Sequence, residues 1–272
     1  MVTIALLTDF GTQDVYVGVM KGVMRRISPE AQFVDISHAI PPQSIRAGAL
    51  ALRNSYTYFP EGTVFLVVID PGVGSARRPI AVETGNYCFI APDNGVLTPI
   101  LQAADAFNAV ELVNPEYRLS RLSATFHGRD VFAPAAAHVA RGVALSELGP
   151  AVEDPVLLPP TPVTRTYGQI TGEIVYIDHF GNFITNIGPL LWQADGQLLL
   201  DDRKFDPAAV RVTVGDTLLI GIKRAYHEVQ SGALLAQVDS SGDLEIAVNQ
   251  GNAAQRLGLA VGTKVRVEFT SA

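Results

Sequence analysis

Four polar clusters, each placed where an apolar run ends, hold the side chains with which this chain could do chemistry. Thr8-Asp9-Phe10-Gly11 leaves the run at residues 4–7, and an aspartate at that end of a sheet strand commonly grips ribose hydroxyls. Asp70-Pro71-Gly72-Val73-Gly74-Ser75-Ala76-Arg77-Arg78 joins a carboxylate, two glycines that let the backbone approach a ligand closely, and two arginines. The Gly-Lys-Ser/Thr ending of a phosphate loop is missing, so a tuned ion pair is the better expectation. Ser123-Ala124-Thr125-Phe126-His127-Gly128-Arg129-Asp130 precedes a helical stretch, and His127 could orient or deprotonate a nucleophile near neutral pH. Asp178-His179-Phe180-Gly181-Asn182 supplies a carboxylate, an aromatic ring and an amide, with Tyr226 and the turn Ser240-Ser241-Gly242 as candidates to complete a pocket.

Taken singly, each cluster has an ordinary structural reading. Asp9 fits a turn, Asp70 and the arginines fit a salt bridge, a lone histidine is more often structural, and Asp178 fits an Asx turn. His38, His138, His179 and His227 are read as structural, and no Cys/His or His/His spacing resembles a zinc site. No metal and no cofactor are expected.

The elements that must position these residues alternate in the first half of the chain. Residues 4–7 form a short apolar run typical of a strand covered on both faces. Asp14 is a candidate cap for a helix in which Val15, Val19, Val23 and Ile27 fall four apart. Residues 32–36 are strand-like, Ile45, Ala49, Leu52 and Tyr56 make a second helical stripe, and residues 64–69 give the strongest buried-strand signal. Val131, Ala135 and Val139 share a face of a further helix spanning about residues 129–141. This β-α-β-α-β order predicts a mostly parallel sheet flanked by helices. The proline-rich stretch 155–162 reads as a stiff extended linker. Beyond it, the hydrophobic period shortens towards two, and strands are predicted at 174–177, 183–187, 210–214, 234–238, 244–248 and 265–269. The expectation is an α/β N-terminal domain over residues 1–158 and a smaller all-β, barrel-like domain over 159–272.

Bulk composition narrows the partners. The chain has 272 residues, 48% hydrophobic and 17% charged, and a net charge of −7 without a basic tract, so nucleic acid is not an expected partner. Cys88 is the one cysteine, which excludes an intrachain disulfide framework and fits a buried thiol. With no signal-peptide pattern and no apolar window approaching about 18 residues, no membrane is implied and a cytoplasmic location is expected.

Seven ordered matches then carry a resemblance covering essentially the whole chain. They are residues 7–11, 59–64 (Phe-Pro-Glu-Gly-Thr-Val), 69–74, 91–95 (Ala-Pro-Asp-Asn-Gly), 125–130, 177–182 and 244–249 (Leu-Glu-Ile-Ala-Val-Asn). In these the chain resembles the S-adenosyl-L-methionine hydroxide adenosyltransferase family, hydrolytic relatives of the bacterial fluorinase and chlorinase. The resemblance implies a homotrimer with small-molecule sites at subunit interfaces and hydrolysis of S-adenosyl-L-methionine to adenosine and methionine. It assigns Asp9 to the ribose hydroxyls, Asp178 to the methionine ammonium, and Phe126 to substrate contact. Asn182, Ser240 and Ser241 would complete adenine and amino-acid recognition, and Phe180 and Tyr226 resemble the adenine-side aromatics. Asp70, Arg77 and His127 match the triad of the hydrolytic branch, with Arg78 the adjacent alternative to Arg77. Either His127 or Asp70 would take the proton. Two rivals stay open: a halogenase, which this family builds with tyrosine at position 70 and no histidine at 127, and a non-catalytic sensor of the adenosyl ligand.

Overall fold

The computed structural model describes residues 2–269. The chain divides into two compact units, Met1–Pro159 and Pro160–Ala272.

The first unit runs β1 (Thr3–Thr8), α1 (Tyr16–Ile27), β2 (Gln32–Ser37), α2 (Ile45–Arg53), β3 (Val64–Val68), β4 (Pro79–Thr84), β5 (Tyr87–Pro92), α3 (Thr98–Ala103), β6 (Asn108–Glu111), α4 (Ala133–Ala140) and α5 (Leu145–Leu148). Its strands form one six-stranded sheet in the order β2-β1-β3-β5-β4-β6. The first four are mutually parallel, and β4 and β6 add antiparallel pairs at one edge. The sheet is therefore mixed, with its parallel part in the first half of the chain.

Side-chain alternation sorts the helices onto two faces. Ile4, Leu6, Val64, Leu66 and Val68 point into one core with Met20 and Met24 of α1 and Ala133, Ala135, Ala136 and Ala137 of α4. Ala5, Leu7, Phe65, Val67 and Ile69 are just as buried. There α2 lies so close that a Cβ on Gly48 would stand 2.8 Å from Ile69. Each such Val, Leu or Ile contributes about 1.5–3 kcal/mol by leaving water, so double coverage explains the uninterrupted apolar run of β3.

Two local expectations fail, each for a visible reason. Asp14 does not cap α1; Val15 holds that position and no side chain caps it. Of the stripe Val15, Val19, Val23 and Ile27, the first two face solvent, at 72% and 37% exposure, while Val23 and Ile27 pack against the core beside the fully buried Met20 and Met24. Spacing by four drifts around a helix of 3.6 residues per turn, and the flexible methionines fill the gap over the sheet. The helix expected from residue 129 opens instead with one π-helical turn, Gly128–Phe132, in which Ala133 N–H reaches the Gly128 carbonyl. Pro134 explains it. Lacking an N–H, it cannot bond the Asp130 carbonyl, which accepts instead from Leu119 N–H at 2.9 Å.

The proline-rich stretch is extended but fastened. Val156 N–H donates to Asp93 at 2.7 Å, Leu158 N–H to Thr98 at 2.8 Å, and Arg46 to the Pro159 carbonyl at 2.8 Å.

The second unit contains β7 (Thr164–Arg165), β8 (Gln169–Ile177), β9 (Phe183–Thr185), β10 (Leu190–Trp192), β11 (Leu198–Leu200), β12 (Arg203–Phe205), β13 (Val210–Val214), β14 (Thr217–Ile220), β15 (Ile222–Lys223), β16 (Leu234–Val238), β17 (Leu244–Val248), α6 (Ala253–Leu257) and β18 (Lys264–Phe269). Nine strands form a curled sheet, β14-β13-β18-β8-β9-β17-β16-β15 with β7 on β8, and β14 returns beside β16 so that it nearly closes. The bend lies in β8, whose first half pairs with β18 and second half with β9 across a register shift. The small meander β10-β11-β12, absent from the sequence expectation, lends Leu190, Leu198, Leu200 and Phe205 to the core.

Candidate active site

β1 and β3 are adjacent and parallel, with Thr8 level with Val68. From β1 the chain crosses to β2 on one side, while β3 lies on the other. This is the topological switch point, where connections diverge and a crevice opens beyond the carboxyl ends of the strands. Asp9 and Phe10 leave β1 there, and Asp70 leaves β3.

Asp70 continues the alternation of Leu66 and Val68 and so belongs to the face that carries α4. Its loop then brings Arg77 back onto it. Arg77 Nε donates to Asp70 Oδ1 at 2.8 Å, and Nη2 donates to Oδ2, a bidentate pair whose side chains are 8% and 5% exposed. The guanidinium also lies 5.1 Å from the Phe132 ring centre. Arg77 Nη2 reaches His127 Nδ1 at 2.9 Å, joining three side chains from positions 70, 77 and 127. Arg78 turns away to Asp93 and Asp154, both at 2.8 Å, and serves the fastening of the proline-rich stretch.

A guanidinium can only donate, so Nδ1 of His127 must accept and the ring proton resides on Nε2. Burial, then the neighbouring Arg77 charge, push the His127 pKa below its ordinary value against the opposing pull of Asp70. The imidazole is thus neutral at pH 7, with one N–H to offer.

The loop carrying His127 is pinned by Asp130. That carboxylate is fully buried and accepts from Ser123 N–H at 2.6 Å and Arg129 Nε at 2.6 Å, while its carbonyl holds Leu119. The two site loops also touch. Gly74 has φ +77°, and a Cβ there would lie 2.4 Å from the Ala124 carbonyl oxygen.

Asp70 and His127 face one cleft of about 360 Å³, walled also by Phe10, Tyr16 and Phe126. The three rings meet edge to face or tilted, with centres 5.2–6.0 Å apart. The sequence reading passes over Phe10 and Tyr16: Phe10 sits inside a motif read for its aspartate, and Tyr16 lies beside the helical stripe of Val15, Val19, Val23 and Ile27, not in it. Asp9 is not among the walls. Its Oδ2 accepts from Gln43 N–H at 2.7 Å, where Gln43 takes a left-handed φ of 65° just before α2.

In the second unit, Asp178 organises its own turn. Oδ1 accepts from the N–H groups of Phe180 at 2.9 Å and Asn182 at 2.8 Å, and Oδ2 from Asn182 Nδ2 at 2.9 Å. Gly181, at φ +85°, makes the reversal possible; a Cβ there would meet Asn252 at 2.2 Å. Asn182 Nδ2 lies 3.5 Å from Tyr226 Oη. Phe180 and Tyr226 present 71% and 41% of their surface to solvent. Ser240 and Ser241 occupy the β16–β17 turn, which Asp239 holds by accepting from Ser241 N–H at 2.7 Å and Asp243 N–H at 2.9 Å. Among the described residues, no group of three or more His, Cys, Asp or Glu could hold a metal, and no helix is long and apolar enough to cross a membrane.

Comparison with known proteins agrees with this architecture. Residues 4–149 match the family model of the SAM hydroxide adenosyltransferase N-terminal domain and residues 172–266 that of the C-terminal domain. A protein from Salinispora arenicola named (R)-S-adenosyl-L-methionine hydrolase is 41% identical, over 97% of each chain. A fluorinase from an Actinoplanes species is 30% identical, over 97% of this chain and 96% of its own. A crystal structure of a conserved Thermotoga maritima protein superposes with a TM-score of 0.86 at 38% identity, covering 97% of this chain and 99% of that one. On matches that span both units, the chain belongs to the S-adenosyl-L-methionine hydroxide adenosyltransferase family.

Proposed function

We propose that this protein hydrolyses S-adenosyl-L-methionine to adenosine and L-methionine, with the sulfonium epimer named for its relatives as the substrate to test first. The observation that carries the reading is that Asp70 and His127, both at the wall of a cleft large enough for a small molecule, are joined through Arg77. The sulfonium is already a leaving group, so the protein must chiefly dehydrate and aim a water. One O–H of that water donates to Asp70 while its oxygen accepts from His127 Nε2–H, leaving a lone pair for C5′. The new C5′–O bond forms as the C5′–S bond breaks, sulfur keeps the electron pair, and the proton passes to Asp70. With Nδ1 occupied by Arg77, Asp70 rather than His127 is the acceptor. Arg77 holds the two together and balances charge around the oxygen.

The remaining roles belong to the same proposal. Asp9 takes the ribose hydroxyls and Phe126 contacts the substrate. Asp178 meets the ammonium, Asn182 and the Ser240–Ser241 turn recognise adenine and the amino-acid end, and Phe180 and Tyr226 flank the base. The sites lie at interfaces of a homotrimer built from domains 1–158 and 159–272, in the cytoplasm, with no added cofactor. A desolvated halide would be repelled by the Asp70 carboxylate, which disfavours halogenation.

The test is incubation of purified protein with each sulfonium epimer in ¹⁸O-water, with chromatography and mass spectrometry of the nucleoside. Adenosine labelled at its 5′-oxygen is expected. Tight binding without turnover would leave only a sensor, and a halogenated nucleoside formed in the presence of halide would make the protein a halogenase.

A further inference from the structure

A buried acid without a paired cation lies in the second unit, among residues the sequence reading does not single out as a site. Glu245 stands in β17, where all five residues are buried, and is itself 4% exposed. Tyr226 Oη donates to its Oε1 at 2.8 Å, and Gln237 Nε2 donates to the same oxygen at 2.6 Å. Gln237 is its direct cross-strand partner on β16. Among the described residues no cation pairs with Glu245. Burial pushes its carboxyl up, and the nearby Asp178 and Asp239 add like charge.

Burying an acid without a counter-ion is expensive, and an apolar or amide side chain would fill the strand at less cost. What an ionised carboxylate supplies is direction, because it can only accept. It commits the Tyr226 hydroxyl hydrogen to itself, which turns the phenol lone pairs towards Asn182 Nδ2, 3.5 Å away. That amide nitrogen also donates to Asp178 Oδ2 at 2.9 Å. Asn182 Oδ1 is thereby left facing away from Asp178 as an acceptor. Asp178, with three bonds accepted on two oxygens, keeps capacity for one more donor.

We propose that Glu245, assisted by Gln237, is a positioning residue that sets the donor–acceptor polarity of the Tyr226–Asn182–Asp178 chain. It thereby fixes which atoms of that cup meet the substrate. The inference rests on the proposed reading of Asp178 and Asn182 as the ammonium and adenine contacts. An amide at position 245 can donate to the phenol, reverse its hydroxyl and set it against Asn182 Nδ2, so that donors face each other.

The test uses the full-length protein and two readouts: kcat and KM for S-adenosyl-L-methionine, and calorimetric binding of adenosine. Glu245→Gln is nearly isosteric and should weaken adenosine binding and raise KM by about tenfold, the effect of one lost oriented hydrogen bond. Its kcat should stay within about threefold of the parent, because the reacting group is elsewhere. In a Tyr226→Phe background, Glu245→Gln should add no more than about twofold, because the relay is already cut. Parental adenosine binding in Glu245→Gln, or losses that multiply with Tyr226→Phe, would overturn the proposal. If Glu245→Gln does not fold, Gln237→Leu must show the same pattern in smaller measure, and parental behaviour there overturns it equally. A parent protein that binds adenosine yet yields none from S-adenosyl-L-methionine would sink the hydrolase reading while leaving the binding comparison decisive for Glu245.

Discussion

Arg77 donates to His127 Nδ1 across 2.9 Å while its other edge clasps Asp70, so one guanidinium sets both the tautomer of the histidine and the placement of the acid. The group is a unit whose members should fail in different ways.

Protonating His127 removes the acceptor that Arg77 needs and puts a second cation beside it. Its folded pKa lies below the ordinary value of 6.5, so the neutral form persists through pH 7. We expect kcat/KM to hold steady around neutrality and to fall on an acid limb centred below about 6.5. Because the folded pKa is depressed, this histidine disfavours folding only as pH drops below its unfolded value and towards the folded one. In Arg77→Met a lowering charge is gone and Asp70 remains, so the imidazole should titrate at higher pH. An NMR titration showing the opposite movement would contradict the arrangement.

Asp70→Ala and His127→Ala should each lower kcat by roughly 10²-fold or more. Their stabilities should diverge. Removing Asp70 strands a guanidinium whose side chain is 8% exposed, at a cost of about 3–5 kcal/mol. Removing His127 deletes one neutral acceptor, worth about 1 kcal/mol. Urea unfolding of both variants separates the cases, and equal losses would show that the Asp70–Arg77 pair is less isolated than its burial indicates.

Asp178→Ala should act on affinity. Losing a charge-assisted bond to an ammonium is worth about 1.5–3 kcal/mol, or about 10- to 100-fold in KM, with kcat little altered. A kcat loss as large as that of Asp70→Ala would erase the division between holding and reacting residues.

Gly74→Ala tests the contact between the two site loops without changing a functional side chain. The substitution forces a left-handed backbone on alanine and drives its Cβ to 2.4 Å from the Ala124 oxygen. Separating the loops should cost about 1–3 kcal/mol in stability. It should also lower kcat more than it raises KM, because His127 is displaced from Arg77. Parental kinetics in a folded Gly74→Ala protein would show that the loops tolerate separation.

Much of this was legible in order along the chain, because buried strands announce themselves. The run at 64–69 needs cover on both faces, and its alternation alone assigns Asp70 to the face of Leu66 and Val68. The identity of the arginine was not legible, since Arg77 and Arg78 differ only in how a glycine-rich turn aims them. Glu245 was visible as an acid within the apolar strand Leu244–Val248, yet its partners, Tyr226 and Gln237, are fixed by strand register and a distant turn. Met20 and Met24, rather than Val15 and Val19, are fully buried because the periodic signal does not record which side of a broad apolar helix meets the sheet.

Pro134 gives the molecule an unusual kind of control. By withholding a donor, it leaves the Asp130 carbonyl to accept from Leu119 N–H, which ties the start of the segment leading to His127 to the π-helical turn after it. Any other residue at that position would bring a rival amide for the same oxygen, and the α-helix would compete with the tether. Exchanging Pro134 for a residue with an amide hydrogen would therefore offer the Asp130 carbonyl a second donor, in the turn that directly follows His127.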